Sequence, residues 1–325
     1  MKKVKQLEII FDNDCDSFRP GETVQGKAVL DLQQTISVKG IRLIFRGKAE
    51  VTIFLGDYDT QEERYFRQAR VVFGTAPRED GGILDMEPGH YEYPFSFDLP
   101  LVLPNSFSIG GDENGEVTYS VEVVIQRPGK LSYAQTRSFF VCSKLDLNTL
   151  PDAVNLEIMG KSEKVLSFLG WKSGTISAVF RLERKGYVPG EQMPLYGCIS
   201  NSSSCRIKKS VVTLVQYVTL KVHGATKKTE NQICRCQRGA IAPGQQDQWQ
   251  GESLAIPDLP PSYLAGCNLI DIQYAVMLSV VPAGLYRKLN VPLDIVIGTV
   301  PLDARPDPIT LSERTSTIFD FGSIV

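Results

Sequence analysis

The chain has 325 residues, 42% of them hydrophobic and 22% charged, a size that favours two domains and needs no disulfide or metal to stabilise a core. Its 35 basic and 37 acidic residues leave a formal charge of −2, which speaks against the basic footprint of a nucleic-acid-binding domain. Only two histidines, His90 and His223, are present, so imidazole catalysis or metal binding has little material to work with.

The basic start Met1-Lys2-Lys3-Val4-Lys5 runs into Asp12, Asp14 and Asp16 without an apolar stretch, so it does not read as a signal peptide. From Lys39 to Val51, Ile41, Leu43, Phe45, Ala49 and Val51 alternate with Arg42, Arg46, Lys48 and Glu50. Val117 to Gln126 repeats the alternation with Val117, Tyr119, Val121, Val123 and Ile125, and Asp271 to Val280 repeats it with Ile272, Tyr274, Val276, Leu278 and Val280. A period of two means strands with one face on a core and one in water. Pro-Gly turns at 20–21, 88–89, 128–129, 189–190 and 243–244 punctuate these runs, and only residues 150–159 hint at a helical turn. Many short strands between regular turns predict β-sandwiches, because half-buried sheets must face each other. No apolar run reaches membrane-spanning length. The seven cysteines, an odd number in a chain without a signal, read as reduced cytosolic thiols. Cys234-Arg235-Cys236 lacks zinc-site spacing, and the sequon Asn201-Ser202-Ser203 carries no meaning in a cytosolic protein.

An internal duplication sets the domain count. Pro20-Gly21-Glu22 recurs as Pro189-Gly190-Glu191, and Leu43, Phe45, Ala49 and Val51 recur as Val212, Leu214, Val218 and Leu220, both at an offset of 169. The pair Pro88-Gly89 and the strand from Val117 recur at an offset of 155. Leu103-Pro104-Asn105-Ser106-Phe107 becomes Leu259-Pro260-Pro261-Ser262-Tyr263 at 156. Turn chemistry alone does not repeat the in-phase strands between such landmarks. The falling offset places about 14 extra residues between Val51 and Pro88, with the polar run 56–64 as a candidate contact loop.

These landmarks resemble the α-arrestin family of arrestin-domain-containing proteins. The carrying residues are Pro20 to Gly26, Gly89 to Pro100, Tyr119-Ser120-Val121 before Arg127-Pro128, and Asp146-Leu147-Asn148. In the second half they are Arg184 to Glu191, Gly266 to Tyr274 and Pro292 to Leu302. The resemblance implies an all-β chain of two tandem, seven-strand-type sandwiches with immunoglobulin-like architecture. Their expected bounds are an N-terminal arrestin domain at 1–148, a C-terminal one at 149–302 and a short disordered tail at 303–325. Residues 107–116 are too short and Gly-rich for the amphipathic helix of visual and β-arrestins, which favours the α branch.

The resemblance further implies a cytosolic adaptor, peripheral at plasma membrane and endosomes, that binds membrane-protein tails and recruits HECT-type ubiquitin ligases through PPxY motifs in a C-terminal tail. Pro260-Pro261-Ser262-Tyr263 is a formal PPxY, a WW-domain ligand by pattern, but its duplicated counterpart lies before a strand, so a packed segment is expected instead. No second PPxY occurs from Asp303 to Val325, which leaves 23 residues for the expected tail motifs. The family's thioredoxin-interacting member uses a cysteine three residues before the tryptophan corresponding to Trp249. Gln246 stands there, so no covalent thioredoxin partner is expected. Lys2 and Lys3 match the lysine pair at the start of the arrestin fold; with Arg42 and Arg46 they are candidates for phosphate contact, against the alternative of ordinary solvated cations. Ser323 and Val325 fit a PDZ ligand at the C-terminus. A retromer-type arrestin-fold coat subunit is the alternative adaptor reading. No catalytic, cofactor or metal motif occurs in the sequence, so an enzyme is not expected.

Overall fold

The computed structural model describes residues 3–12, 16–75, 82–111, 113–150, 152–168 and 171–303. Among them the chain forms strands and short 3₁₀ turns, with no α-helix. The first half holds β1 (Val4–Phe11), β2 (Ser17–Phe18), β3 (Thr23–Leu32), β4 (Ile36–Val38), β5 (Gly40–Phe54), β6 (Tyr58–Gly74), β7 (Leu84–Met86), β8 (Gly89–Asp98), β9 (Phe107–Ile109), β10 (Asn114–Gln126) and β11 (Tyr133–Val141). The order β1-β3-β8 packs against β2-β11-β10-β5-β6, with β9 on β10. Alternation delivers Ile9, Phe11, Leu43, Phe45, Val121 and Val123 to the space between the sheets, all essentially buried.

The second half repeats the plan with β12 (Ile158–Phe168), β13 (Trp171–Leu182), β14 (Gly186–Tyr187), β15 (Gln192–Pro194), β16 (Tyr196–Ser203), β17 (Ile207–Val222), β18 (Ala225–Arg238), β19 (Gln246–Trp249), β20 (Ser253–Ala255), β21 (Ile270–Pro282) and β22 (Leu289–Ile297). Here the orders are β12-β13-β16-β19 and β14-β22-β21-β17-β18. The duplication extends to a buried hydrogen bond. The Tyr119 hydroxyl donates to the Pro104 carbonyl at 2.7 Å, and the Tyr274 hydroxyl donates to that of Pro260 at the same distance. Each tyrosine pins the segment that leads toward its strand, and burial pushes the Tyr274 phenol up to about 12.

The polar run 56–64 is not a solvated loop. Tyr58 onward is strand, paired with β5 along its whole length. The extra residues of the first half therefore fall mainly after β6, where β7 pairs with β4. The sequence could not show this, because a strand carrying Asp59, Gln61 and Glu63 toward another domain has no apolar face to reveal its period.

Those three residues clamp the two sandwiches together. Gln61 accepts from the His223 backbone N–H at 2.7 Å, and Asp59 lies 3.1 Å from His223 Nδ1. Glu63 accepts from the Asn268 backbone at 2.8 Å, and Lys227 pairs with Glu113 at 2.8 Å. Glu113 and Asn268 are duplicated positions, so similar ends of the two sandwiches meet with approximate two-fold symmetry. Gly115 sits at the apolar centre, where a Cβ would fall 2.7 Å from Leu220 and 3.3 Å from Ile270. The linker and the chain's closing residues add a second seam. Leu147, Val154, Val188 and Val296 form a small core, and Leu145 bonds with Thr299.

Candidate functional site

The outward face of the β10-β5-β6 sheet carries a cluster of charged side chains. Leu43 and Phe45 point into the core, so Arg42, Arg46 and Lys48 point out. A bulge between Gly47 and Lys48 sets Arg46 opposite Arg67 and Lys48 opposite Arg64. It skips Tyr65, which turns toward Cys267 across the domain interface, and burial raises both the Tyr65 phenol and the Cys267 thiol. A Cβ at Gly47 would collide with the Phe66 ring, so only glycine lets that ring cover the bulge.

The result is a depression of about 170 Å³ lined by Arg46, Lys48, Arg64, Arg67, Phe66 and a single carboxylate, Glu62. Lys48 lies 2.6 Å from Glu50 and 3.3 Å from Glu62, and Arg64 lies 3.0 Å from Glu62. The Glu50 contact holds the Lys48 ammonium above its ordinary range, and Arg64, then Lys48, hold Glu62 below its own. Arg46 pairs with Glu122 at 2.7 Å, while the Arg42 Nε is buried without a hydrogen-bond partner. Carboxylates thus engage three of the four cations at the partly exposed surface, Arg46 through Glu122, Lys48 through Glu50 and Glu62, and Arg64 through Glu62.

Of the expected phosphate-contact set, Arg42 and Arg46 share the outward face of β5 four residues apart, only Arg46 lines the depression, and Lys3 is separated from both. Lys3 precedes β1 in the opposing sheet and donates to the Thr35 carbonyl at 3.0 Å, so the sandwich core lies between. Lys2 lies outside the described residues, as do Ser323 and Val325. Lys48, Arg64 and Arg67 were missed. Lys48 was legible from alternation alone, but Arg64 and Arg67 join the site only through the bulged pairing of β5 and β6.

The formal PPxY is a folded corner. Pro261 and Ser262 are buried, the Ser262 hydroxyl accepts from the Ile297 backbone N–H at 2.9 Å, and Tyr263 has φ 73° with its side chain 45% exposed. Pro261 is buried, and Pro260 and the tyrosine ring are each partly buried. Gln246 is exposed on β19 and Trp249 is buried in the core. Among the described residues no group of His, Cys, Asp or Glu could hold a metal, and no helix is long and apolar enough to cross a membrane.

His90 lies on the outer face of β8, with Nδ1 2.5 Å from Asp31 and Nε2 3.3 Å from Glu92. These carboxylates, Asp31 foremost, raise the imidazole above its usual 6.5. An NMR titration should therefore place the His90 midpoint above 6.5, and Asp31→Asn should lower it; an unmoved midpoint would contradict the geometry. Because the folded value is raised, the associated stability is present below pH 6.5 and is lost as pH rises through the folded midpoint.

Comparison with known proteins matches residues 7–148 to the arrestin (or S-antigen) N-terminal domain and residues 172–302 to the arrestin C-terminal domain. Arrestin domain-containing protein 4 is 30% identical in both Mus musculus and Homo sapiens, covering 92% of this chain and 73% and 72% of theirs. Thioredoxin-interacting protein of Homo sapiens is 29% identical, covering 92% of this chain and 75% of its own length.

Proposed function

The chain belongs to the arrestin family, alongside the α-arrestins, and on that premise we propose that it is a non-enzymatic cytosolic adaptor for membrane-protein tails. In this reading it works at plasma membrane and endosomes and links cargo to sorting or ubiquitin-ligase machinery. Adaptor work needs rigid surfaces rather than a catalytic constellation, and two sandwiches clamped at their duplicated ends supply them.

The observation that carries the reading is the depression between Arg46, Lys48, Arg64 and Arg67. These four cations, three of them engaged by Glu50, Glu62 and Glu122, suit a phosphorylated or acidic tail, whose oxygens can take the guanidinium donors that Glu62 and Glu122 only partly use. Ligase recruitment through Pro260, Pro261 and Tyr263 is not part of the proposal, since that corner is folded. A PDZ contact through Ser323 and Val325 remains compatible with it. A covalent thioredoxin complex does not, because Gln246 offers no thiol.

Replacing Arg64 and Arg67 together with glutamate should weaken binding of a multiply phosphorylated cytosolic-tail peptide about tenfold or more, since each charge-assisted contact is worth about 1.5–3 kcal/mol. Isothermal titration with the full chain measures this, and raised salt should weaken wild-type binding in parallel. Equal affinity of variant and wild type would remove the depression from the cargo site.

A further inference from the structure

β12 ends its four-stranded sheet, so one of its backbone edges has no partner strand among the described residues. Its inward residues include Leu166, which is fully buried, and Gly160, which lies against Val291 and Leu293. Alternation turns Met159, Lys161, Glu163 and Val165 outward. Met159 is 66% exposed and Val165 55%, and neither Lys161 nor Glu163 has an ion-pair partner among the described residues.

An open edge flanked by exposed apolar side chains invites another strand, and proteins usually block it with charge, proline or a bulge. Among the other long edge strands, β1 carries Lys5 and Glu8 and a register irregularity between Val4 and Gln6, β6 shows Thr60, Glu62 and Arg64, β18 shows Thr226, Lys228 and Glu230, and β8 contains Pro94. β12 carries charge too, and its register shifts near its end between Leu166 and Ser167, but its outward charges lie between exposed apolar residues. Its outward order reads apolar, positive, negative, apolar, which is its own complement when reversed. An antiparallel two-fold pairing centred on Ser162 sets Met159 opposite Val165 of a second copy and Lys161 opposite Glu163, each twice. Centring on Lys161 sets that lysine against itself, and centring on Glu163 does the same for the glutamate. Axes between residues put outward side chains opposite inward ones. One register therefore satisfies every outward position.

We propose that β12 is a self-complementary edge through which two copies of this chain pair, joining their four-stranded sheets into one continuous sheet. The occupant is a second copy because both the charge order and the apolar ends match their own reversal. The surface is separate from the charged depression on the N-terminal sandwich, so this proposal stands or falls without it.

Sedimentation equilibrium of the full chain should show a monomer–dimer equilibrium. Lys161→Glu and Glu163→Lys each place like charges opposite one another at both ends of the pairing. Each should raise the dimer dissociation constant about tenfold, while leaving far-UV circular dichroism unchanged and, at concentrations low enough for all chains to be monomeric, the melting temperature unchanged. Mixed in equal amounts, the two variants become complementary and should regain wild-type association; a chain with both substitutions should do so by itself. A chain that stays monomeric, association that the reversals leave unchanged, or a mixture that fails to regain it would overturn the proposal. So would capture of a foreign strand at β12 without self-association.

Discussion

Replacing Trp249 with alanine should destabilise the C-terminal sandwich by about 3–5 kcal/mol, the range for deleting a buried aromatic from a packed core. Trp249 is 1% exposed at the end of β19, in the four-stranded sheet. Its indole Nε1–H donates at 3.2 Å to the hydroxyl of Ser210, a fully buried residue of β17 in the facing sheet. The ring therefore fills the core and ties the two layers together, while the Arg238 guanidinium lies 5.6 Å above it. Ser210→Ala removes the hydrogen bond and little volume, so it should cost about 1 kcal/mol. Chemical denaturation followed by circular dichroism separates the two variants. A loss for Trp249→Ala no larger than that for Ser210→Ala would mean that the ring contributes its N–H and not its volume.

Asn201→Ala should cost about 3 kcal/mol, a large effect for so small a side chain. Asn201 is 1% exposed, and its amide donates to the carbonyls of Cys205 at 2.9 Å and Ala242 at 3.1 Å. Its carbonyl accepts from the Ser203 hydroxyl at 2.6 Å and from the Ser203 backbone at 3.2 Å. One carboxamide thus holds the end of β16, the turn that follows it and the segment before β19. Truncation leaves several buried polar groups unpaired, at about 1–3 kcal/mol each before water and relaxation recover part of the loss. Thermal melting should show a fall of roughly 10 °C. A shift within experimental error would mean that water replaces the carboxamide without loss. The same burial removes Asn201 from consideration as a glycosylation acceptor in the folded chain.

The contrast between these two residues shows what could be read early. The burial of Trp249 follows from its residue type, because large apolar residues at strand positions are nearly always buried. Asn201 read only as an incidental sequon, since the partners that give it meaning lie as far away as residue 242. The candidate site divides in the same way. Arg42 and Arg46 follow from alternation, but their separation from Lys3 depends on which sheet each strand joins. The run 56–64 misled because a polar strand that serves a domain interface looks like a loop in composition.

By itself, the sequence determined the sandwich architecture, the duplication, the family and the inward face of nearly every long strand. It could do so because those properties rest on period-two patterning and turn chemistry, which act over a few residues. Tertiary structure alone decided that Asp59, Gln61 and Glu63 clamp the second domain, that Pro260 to Tyr263 is a folded corner, and that a bulge at Gly47 brings Arg46, Lys48, Arg64 and Arg67 to one depression. Each depends on strand pairing and register between segments far apart in the chain, and register is a property of the partner strand as much as of the strand itself.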